Sequence, residues 1–523
     1  MPTAPSITLD RCTFAWPDGS VVLDSASARF GPGTTGLVGR NGAGKSTLVR
    51  LVVGELAPAS GSVVTSGPVD HLPQRLRTGP DDTVADLLGV RARLRAYHAI
   101  LDGDPDPAHF DALGDEWDVE ARAAAALRDV GLAEDDLDRP VATLSGGQAV
   151  LVAISGVRLR GRPVAILDEP TNSLDGRARG ILLDLVDGWR GALVVVSHDR
   201  ELLEHVDEVA ELRDGRIVVT GGTYRAHEER VAGEQAAAER RIRTAEQAHR
   251  AERRQRIEAE TSIARRAKAG ARAGESMPRM AANERRKQAE GTAGRLRRAH
   301  ADAERQAEDA VAEAEAHLRS DTPLRLDLAD PGLPASRRVA EITVRGRTRV
   351  VQGPERVAVT GANGVGKSTL LAQLVGVPDA REHPLPDTGA EALTDRIAYL
   401  PQGRDGLDDD LTVLENVRRA AADAPPRELR NKLARFLIRG DAVDREAATL
   451  SGGERFRVAL AGLLLADPPP QLLVLDEPTN DLDMASADRL VEALRAYRGA
   501  LVVVSHDGSL LDRLALDDRI ELA

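Results

Sequence analysis

Five short motifs occur twice in this chain, in the same order, and that duplication limits the possible folds more than any other feature. GRNGAGKSTL at Gly39–Leu48 returns as GANGVGKSTL at Gly361–Leu370. LPQ at Leu72–Gln74 returns at Leu400–Gln402, and TLSGG at Thr143–Gly147 returns at Thr449–Gly453. LDEPTN at Leu167–Asn172 returns at Leu475–Asn480, and GALVVVSHD at Gly191–Asp199 returns unchanged at Gly499–Asp507. The separation from Asp168 to His198 is 30 positions, and so is that from Asp476 to His506. Five motifs in register mean a duplicated domain.

Each copy reads as α/β. Apolar runs of strand length (Thr35–Val38, Val164–Glu169 and their counterparts) alternate with helix-periodic stretches, as in a buried parallel sheet. The copies differ between the LPQ glutamine and the signature: Gln74 to Leu144 spans 70 positions, Gln402 to Leu450 only 48. The first copy therefore carries an extra helical piece, expected at about 83–130. The expected domains are 1–222, a helical linker over 223–320, and 321–523.

The linker is charged and helix-favouring. Two helices are expected, about 225–266 and 282–318, with Gly270, Gly274 and Pro278 forcing a reversal between them. In the second, Leu296, Ala299, Ala303, Ala307, Ala310, Ala314 and Leu318 form a narrow apolar stripe. Residues 261–300 hold 11 Lys and Arg against 3 Glu, a balance of +8 in a chain of net charge −13. Charge runs are usually solvated faces, but this one suits a phosphate backbone, and Arg265, Arg266, Lys268, Arg272, Arg279, Arg285, Arg286 and Lys287 are its candidate RNA contacts. Cys12 is the only cysteine, which excludes internal disulfides, cysteine-ligated zinc and iron–sulfur clusters. No apolar stretch approaches bilayer-spanning length and the start does not resemble a signal peptide, so a soluble cytoplasmic protein without membrane insertion is expected.

G-x-x-x-x-G-K-S follows a strand and opens a helix in both copies. Its backbone N–H groups wrap a polyphosphate, so Gly39, Arg40, Asn41, Gly42, Ala43, Gly44, Lys45, Ser46 and Thr47 are expected to bind ATP, as are Gly361, Ala362, Asn363, Gly364, Val365, Gly366, Lys367, Ser368 and Thr369. Ser46 and Ser368 are expected to ligate Mg²⁺, with Asp168 and Asp476 beside it. Glu169 and Glu477 are placed to polarise the attacking water, and His198 and His506 to reach the γ-phosphate.

Together these residues resemble the ATP-binding cassette (ABC) superfamily across both copies. LSGGQ at Leu144–Gln148 and LSGGE at Leu450–Glu454 match its signature loop. Gln74 and Gln402 match its Q-loops, which the resemblance adds to the magnesium site. Asp175 and Asp483 match its D-loops. The resemblance implies head-to-tail pairing of the cassettes within one monomer: Lys45 would share an ATP with Ser451, Gly452 and Gly453, and Lys367 with Ser145, Gly146 and Gly147. The family also stacks an aromatic on adenine. Trp16 fits that place in the first copy, with Phe14 next, whereas no aromatic lies between Asp321 and Gly361.

The arrangement is similar to the ABC-F family: two P-loop ABC-type domains in tandem joined by a long α-helical hairpin. That resemblance implies an ATPase that binds the ribosome, its rRNA and peptidyl-tRNA, with the linker tip near the peptidyl-transferase centre. Ribosome protection against antibiotics and a general translation role both fit, with the long Gly-broken tip leaning to protection. The alternative class is the ATPase subunit of a drug exporter with a separate membrane partner, in which the hairpin has no role.

Overall fold

The computed structural model describes residues 4–172, 174–274, 279–316, 328–378, 387–403, 406–450, 452–480 and 482–522. The chain forms two compact units: Met1–Tyr224 with Pro323–Ala523, and Arg225–Thr322.

In the first unit each motif copy builds a mainly parallel sheet. The first has the order Val69–Leu72, Val164–Asp168, Ala192–Val196, Gly33–Val38, Glu208–Arg213, Arg216–Gly221, with only the last strand antiparallel. The second runs Ile397–Leu400, Leu472–Asp476, Ala500–Val504, Arg356–Gly361, Asp518–Leu522, all parallel. The Ala-Leu-Val-Val-Val strands are buried along their whole length in both copies, so their continuous apolar runs are the mark of a sheet covered on both faces. A three-stranded antiparallel sheet accompanies each: Val21–Phe30, Ile7–Ala15, Ser60–Thr65, and Arg347–Gln352, Arg338–Val344, Gly389–Ala392.

Between the LPQ turn and the signature both copies place a helix after a capping threonine, Val84–Leu88 behind Thr83 and Val413–Ala420 behind Thr412, and a later helix, Val119–Asp129 and Pro426–Arg435. The first copy adds Arg91–Leu101 and Pro107–Leu113 between them. Leu94 and Leu113 tie these to the core, while Phe110 and Trp117 pair at the surface with centroids 6.3 Å apart and rings tilted by 56°.

The second unit contains helices Tyr224–Gly274 and Arg279–Ala316, of 51 and 38 residues, the first beginning one residue before the unit. At about 1.5 Å per residue they are roughly 75 and 57 Å long. In the first helix a row of less exposed positions runs through Val231, Gln235, Ala238, Ile242, Ala245, His249, Glu252, Arg256, Ala259 and Ile263, alternating steps of four and three, with Ala236, Ala237, Glu246, Ala251 and Ser262 half-buried beside it. That is the heptad spacing of a left-handed coiled coil. The second helix answers with His300, Glu304, Ala307, Val311 and Ala314, and Arg256 pairs with Glu304. The apolar stripe expected from sequence is thus only half right. Ala303, Ala307 and Ala314 are half-buried, Leu296, at 40%, Ala299 and Ala310 are exposed, and Leu318 lies outside the described residues, because the packing follows a 3.5-residue period and accepts polar residues, whereas the expected stripe followed apolar residues alone. Arg265, Arg266, Lys268 and Lys287 are exposed on these helices. The side chains of Arg272, Arg279, Arg285 and Arg286 lie outside the described residues.

Candidate active site

In each copy a strand runs into the glycine-rich loop and out into a helix: Gly33–Val38 into Lys45–Val52, and Arg356–Gly361 into Lys367–Leu374. Gly44 has φ +106°, and a Cβ there would meet Val22 Cγ1 at 2.2 Å, so only glycine lets the loop close against the antiparallel sheet. The loop curls over its own lysine. Lys45 Nζ donates to the Gly39 carbonyl at 2.7 Å, and Lys367 Nζ to the Gly361 and Ala362 carbonyls, each at 2.9 Å. Burial lowers the pKa of both ammonium groups, while carboxylates pull it back up: Glu169, Asp483 and Asp168 on Lys45, and Glu477, Asp175 and Asp476 on Lys367. One carboxylate in each set comes from the other copy.

Asp168 and Asp476 end the strands next to the Ala-Leu-Val-Val-Val strands. Glu169 and Glu477 follow at φ +49° and +48°, in the left-handed region that costs a non-glycine residue energy. Each is held there by a backbone N–H donated to the neighbouring strand, to Val196 O at 2.8 Å and Val504 O at 2.9 Å. His198 Nε2 lies 3.4 Å from Glu169 Oε1, and His506 Nε2 lies 3.5 Å from Glu477 Oε1. Burial holds the two imidazoles down at about 3 and about 4, so both are neutral near pH 7. Burial also pushes Glu169 up to about 8 and Glu477 to about 7. A cation bound alongside draws such a carboxyl back toward the ionised form that accepts a proton from water.

The residues fit magnesium. Both carboxylate oxygens of Asp476 are buried without a hydrogen-bond partner, and Ser368 lies close enough to oppose the rise that burial causes in its pKa. Magnesium is commonly held by one or two carboxylates plus substrate phosphates and water, which suits Asp168 with Ser46 and Gln74, and Asp476 with Ser368 and Gln402. Among the described residues no cluster of three His, Cys, Asp or Glu offers a cage without nucleotide.

A cavity of about 810 Å³ brings the two copies together. Trp16, Lys45, Ser46, Gln74, Asp168, Glu169 and His198 line it from the first, and Lys367, Ser368, Gln402, Asp476, Glu477, His506 and Gly452 from the second. Ser145, Gly146, Gly147 and Gly453 are not among its lining residues, and Ser451 lies outside the described residues. Ser145 instead caps helix Gly146–Arg160 reciprocally with Gln148, which leaves that helix's first N–H groups available to an anion.

The copies also touch directly. Asn41 N donates to Asp483 Oδ2 at 2.9 Å, joining the first glycine-rich loop to the second D-loop. Arg200 reaches both Asp488 oxygens, at 3.0 and 3.1 Å, and Arg179 donates to the His506 carbonyl at 3.0 Å. Sequence reading missed Arg179, Arg200 and Asp488. The signal was a difference between the copies, which hold Ala487, Gly508 and Gly180 at the matching positions.

This geometry, a doubled glycine-rich phosphate cradle with an acid pair and a signature helix in each half, defines a tandem-cassette nucleotide hydrolase. The ABC transporter domain family matches residues 23–172 and 348–480. The chain is similar to the tylosin resistance ATP-binding protein TlrC of Streptomyces fradiae, at 35% identity over 98% of this chain and 97% of that protein. It is similar to the energy-dependent translational throttle protein EttA of Mycobacterium tuberculosis, at 30% identity over 94% of this chain and 87% of that protein. Among solved structures, the archaeal ribosome recycling factor aABCE1, in complex with the ribosomal stalk protein aP1, shares the fold with a TM-score of 0.55 at 20% identity, over 96% of this chain and 86% of that one. The chain belongs to the ABC-F family of ATP-binding cassette proteins, and it is an ATPase.

Trp16 stands in the turn between strands Ile7–Ala15 and Val21–Phe30, edge-on to Phe14 at 5.1 Å. Phe14 is a core residue at 8% exposure, whereas Trp16 lines the cavity, which favours Trp16 as the adenine platform. Trp16→Ala is expected to weaken nucleotide binding at the first site by about 1–3 kcal/mol, roughly 5- to 150-fold. A titration with a fluorescent ATP analogue measures this, and an unchanged affinity removes Trp16 from the site.

Proposed function

We propose that this ATPase binds the ribosome in its ATP state, places its hairpin tip near the peptidyl-tRNA and the peptidyl-transferase centre, and protects the ribosome from an antibiotic acting there. The observation that carries the reading is the end-to-end likeness, hairpin included, to a protein named for tylosin resistance. The exposed cations Arg265, Arg266, Lys268 and Lys287 supply the electrostatic means of meeting RNA. Likeness to a translational throttle protein supports the ribosome as target while favouring a general translation role. Among the described residues no helix is long and apolar enough to cross a membrane.

Each site works as the family's chemistry requires. Magnesium, when bound, neutralises charge on the β- and γ-phosphates. Lys45 and Lys367 hold those phosphates, and Glu169 and Glu477 accept the proton of the attacking water while the neutral histidines orient the γ-phosphate. The test is co-sedimentation of a Glu169→Gln/Glu477→Gln variant with ribosomes in ATP, together with drug tolerance of cells expressing the parent chain. Binding with raised tolerance to tylosin-class macrolides is expected. Binding without tolerance to any drug of the large-subunit active site replaces protection with the general translation role. A protein that stays in the supernatant at low salt ends the ribosome reading.

A further inference from the structure

The two ATP sites are gripped differently across the cassette boundary. Asp175 and Asp483 cap their helices alike, accepting from Ala178 N and Ser486 N. Four positions on, the first copy has Arg179 and the second Ala487. Arg179 belongs to helix Gly176–Asp187, and its side chain is 12% exposed. Its Nη1 donates to the backbone carbonyl of His506, in the other cassette, at 3.0 Å. Its Nη2 lies 3.3 Å from Asp199, in the Ser-His-Asp turn of its own cassette. One planar cation thus joins the Ser-His-Asp turns of both sites. The contact runs on to the acid, because His506 N donates to Glu477 Oε2 at 3.2 Å. The peptide groups on both sides of His506 are therefore fixed, one by Arg179 and one by Glu477. At the matching place facing the first site, position 487 offers a methyl group, and the cassettes meet there instead through Arg200 and Asp488.

We propose that Arg179 acts in trans as a positioning residue for the second ATP site: it holds His506, and through it Glu477, in hydrolytic geometry, and it makes that site's turnover depend on the first cassette. The two sites are then unequal, the second alone carrying this guanidinium grip.

This rests on Glu169 and Glu477 each serving its own site, and the test separates the two claims in the absence of ribosomes. With Glu169→Gln only the second site hydrolyses, and with Glu477→Gln only the first. In the Glu169→Gln background, Arg179→Ala is expected to slow maximal single-turnover phosphate release roughly 10- to 100-fold while half-saturating ATP moves only about 2-fold, the signature of lost positioning, not lost binding. In the Glu477→Gln background the same change is expected to cost no more than about 3-fold. Arg179→Lys keeps the cation beside Asp199 and one donor, and is expected to recover part of the rate. Equal slowing in both backgrounds, no slowing in the first, or a lysine variant no better than alanine overturns the role of Arg179. Sustained hydrolysis by the double glutamine variant overturns the glutamate assignment and this proposal with it.

Discussion

Replacing Glu169 and Glu477 together with glutamine is expected to stop turnover while leaving ATP bound. The substitution is isosteric, and glutamine's amide oxygen still accepts a hydrogen bond, as Glu477 Oε2 does from His506 N at 3.2 Å. What disappears is the group that takes the proton from the attacking water, a contribution of roughly 10²–10⁴-fold. The fold should tolerate the change, because both carboxyls are buried in surroundings that push their pKa to about 8 and about 7 and so already disfavour charge. Lys45, Lys367 and the glycine-rich loops, which carry the phosphate contacts, are untouched. Phosphate release should therefore fall to the limit of detection while nucleotide stays on the protein through gel filtration. Turnover within about tenfold of the parent would show that another group activates the water. The trapped protein should also stay on its target, so expression of this variant is expected to arrest growth where the parent chain does not.

The parallel sheets and phosphate loops were legible in the sequence because each is dictated locally. Runs such as Ala192–Val196 have no polar face and must be buried, and a glycine-rich loop between strand and helix has one dominant use. Duplication made every such reading a repeated measurement. The contacts between copies were not legible, because they depend on side chains that approach only after both cassettes have folded. Arg179 is one arginine on an amphipathic helix, and only its position opposite His506 gives it a task. The hairpin shows the opposite difficulty. Its helices were evident from composition, but its packing face was not, since Gln235, His249, Glu252 and Arg256 occupy heptad positions that hydrophobic patterning ignores. The backbone strain at Glu169 and Glu477 was likewise invisible from residue type, because glutamate has no special preference for positive φ.

The association of the ATP-trapped chain with its target is expected to be steeply salt dependent, and the hairpin tip is where that dependence should reside. The whole chain carries −13, and the +8 balance of residues 261–300 runs against it, so generalised attraction to RNA is opposed and a local basic probe is favoured. If six to ten phosphates are met, affinity should fall roughly 10³–10⁵-fold between 50 and 200 mM salt. Arg265, Arg266 and Lys268 are exposed near the end of the first helix, within a helical segment whose fold does not depend on them, so changing all three to glutamine should leave helicity and ATP hydrolysis intact. Each lost phosphate contact removes about 0.7–0.9 from the slope of log affinity against log salt, so the triple variant should bind with a slope shallower by about 2–3. Weaker binding at low salt with a shallower slope locates RNA contact at the tip. An unchanged slope with weaker binding means these side chains support the hairpin's shape instead, and the basic probe must be sought elsewhere on the chain.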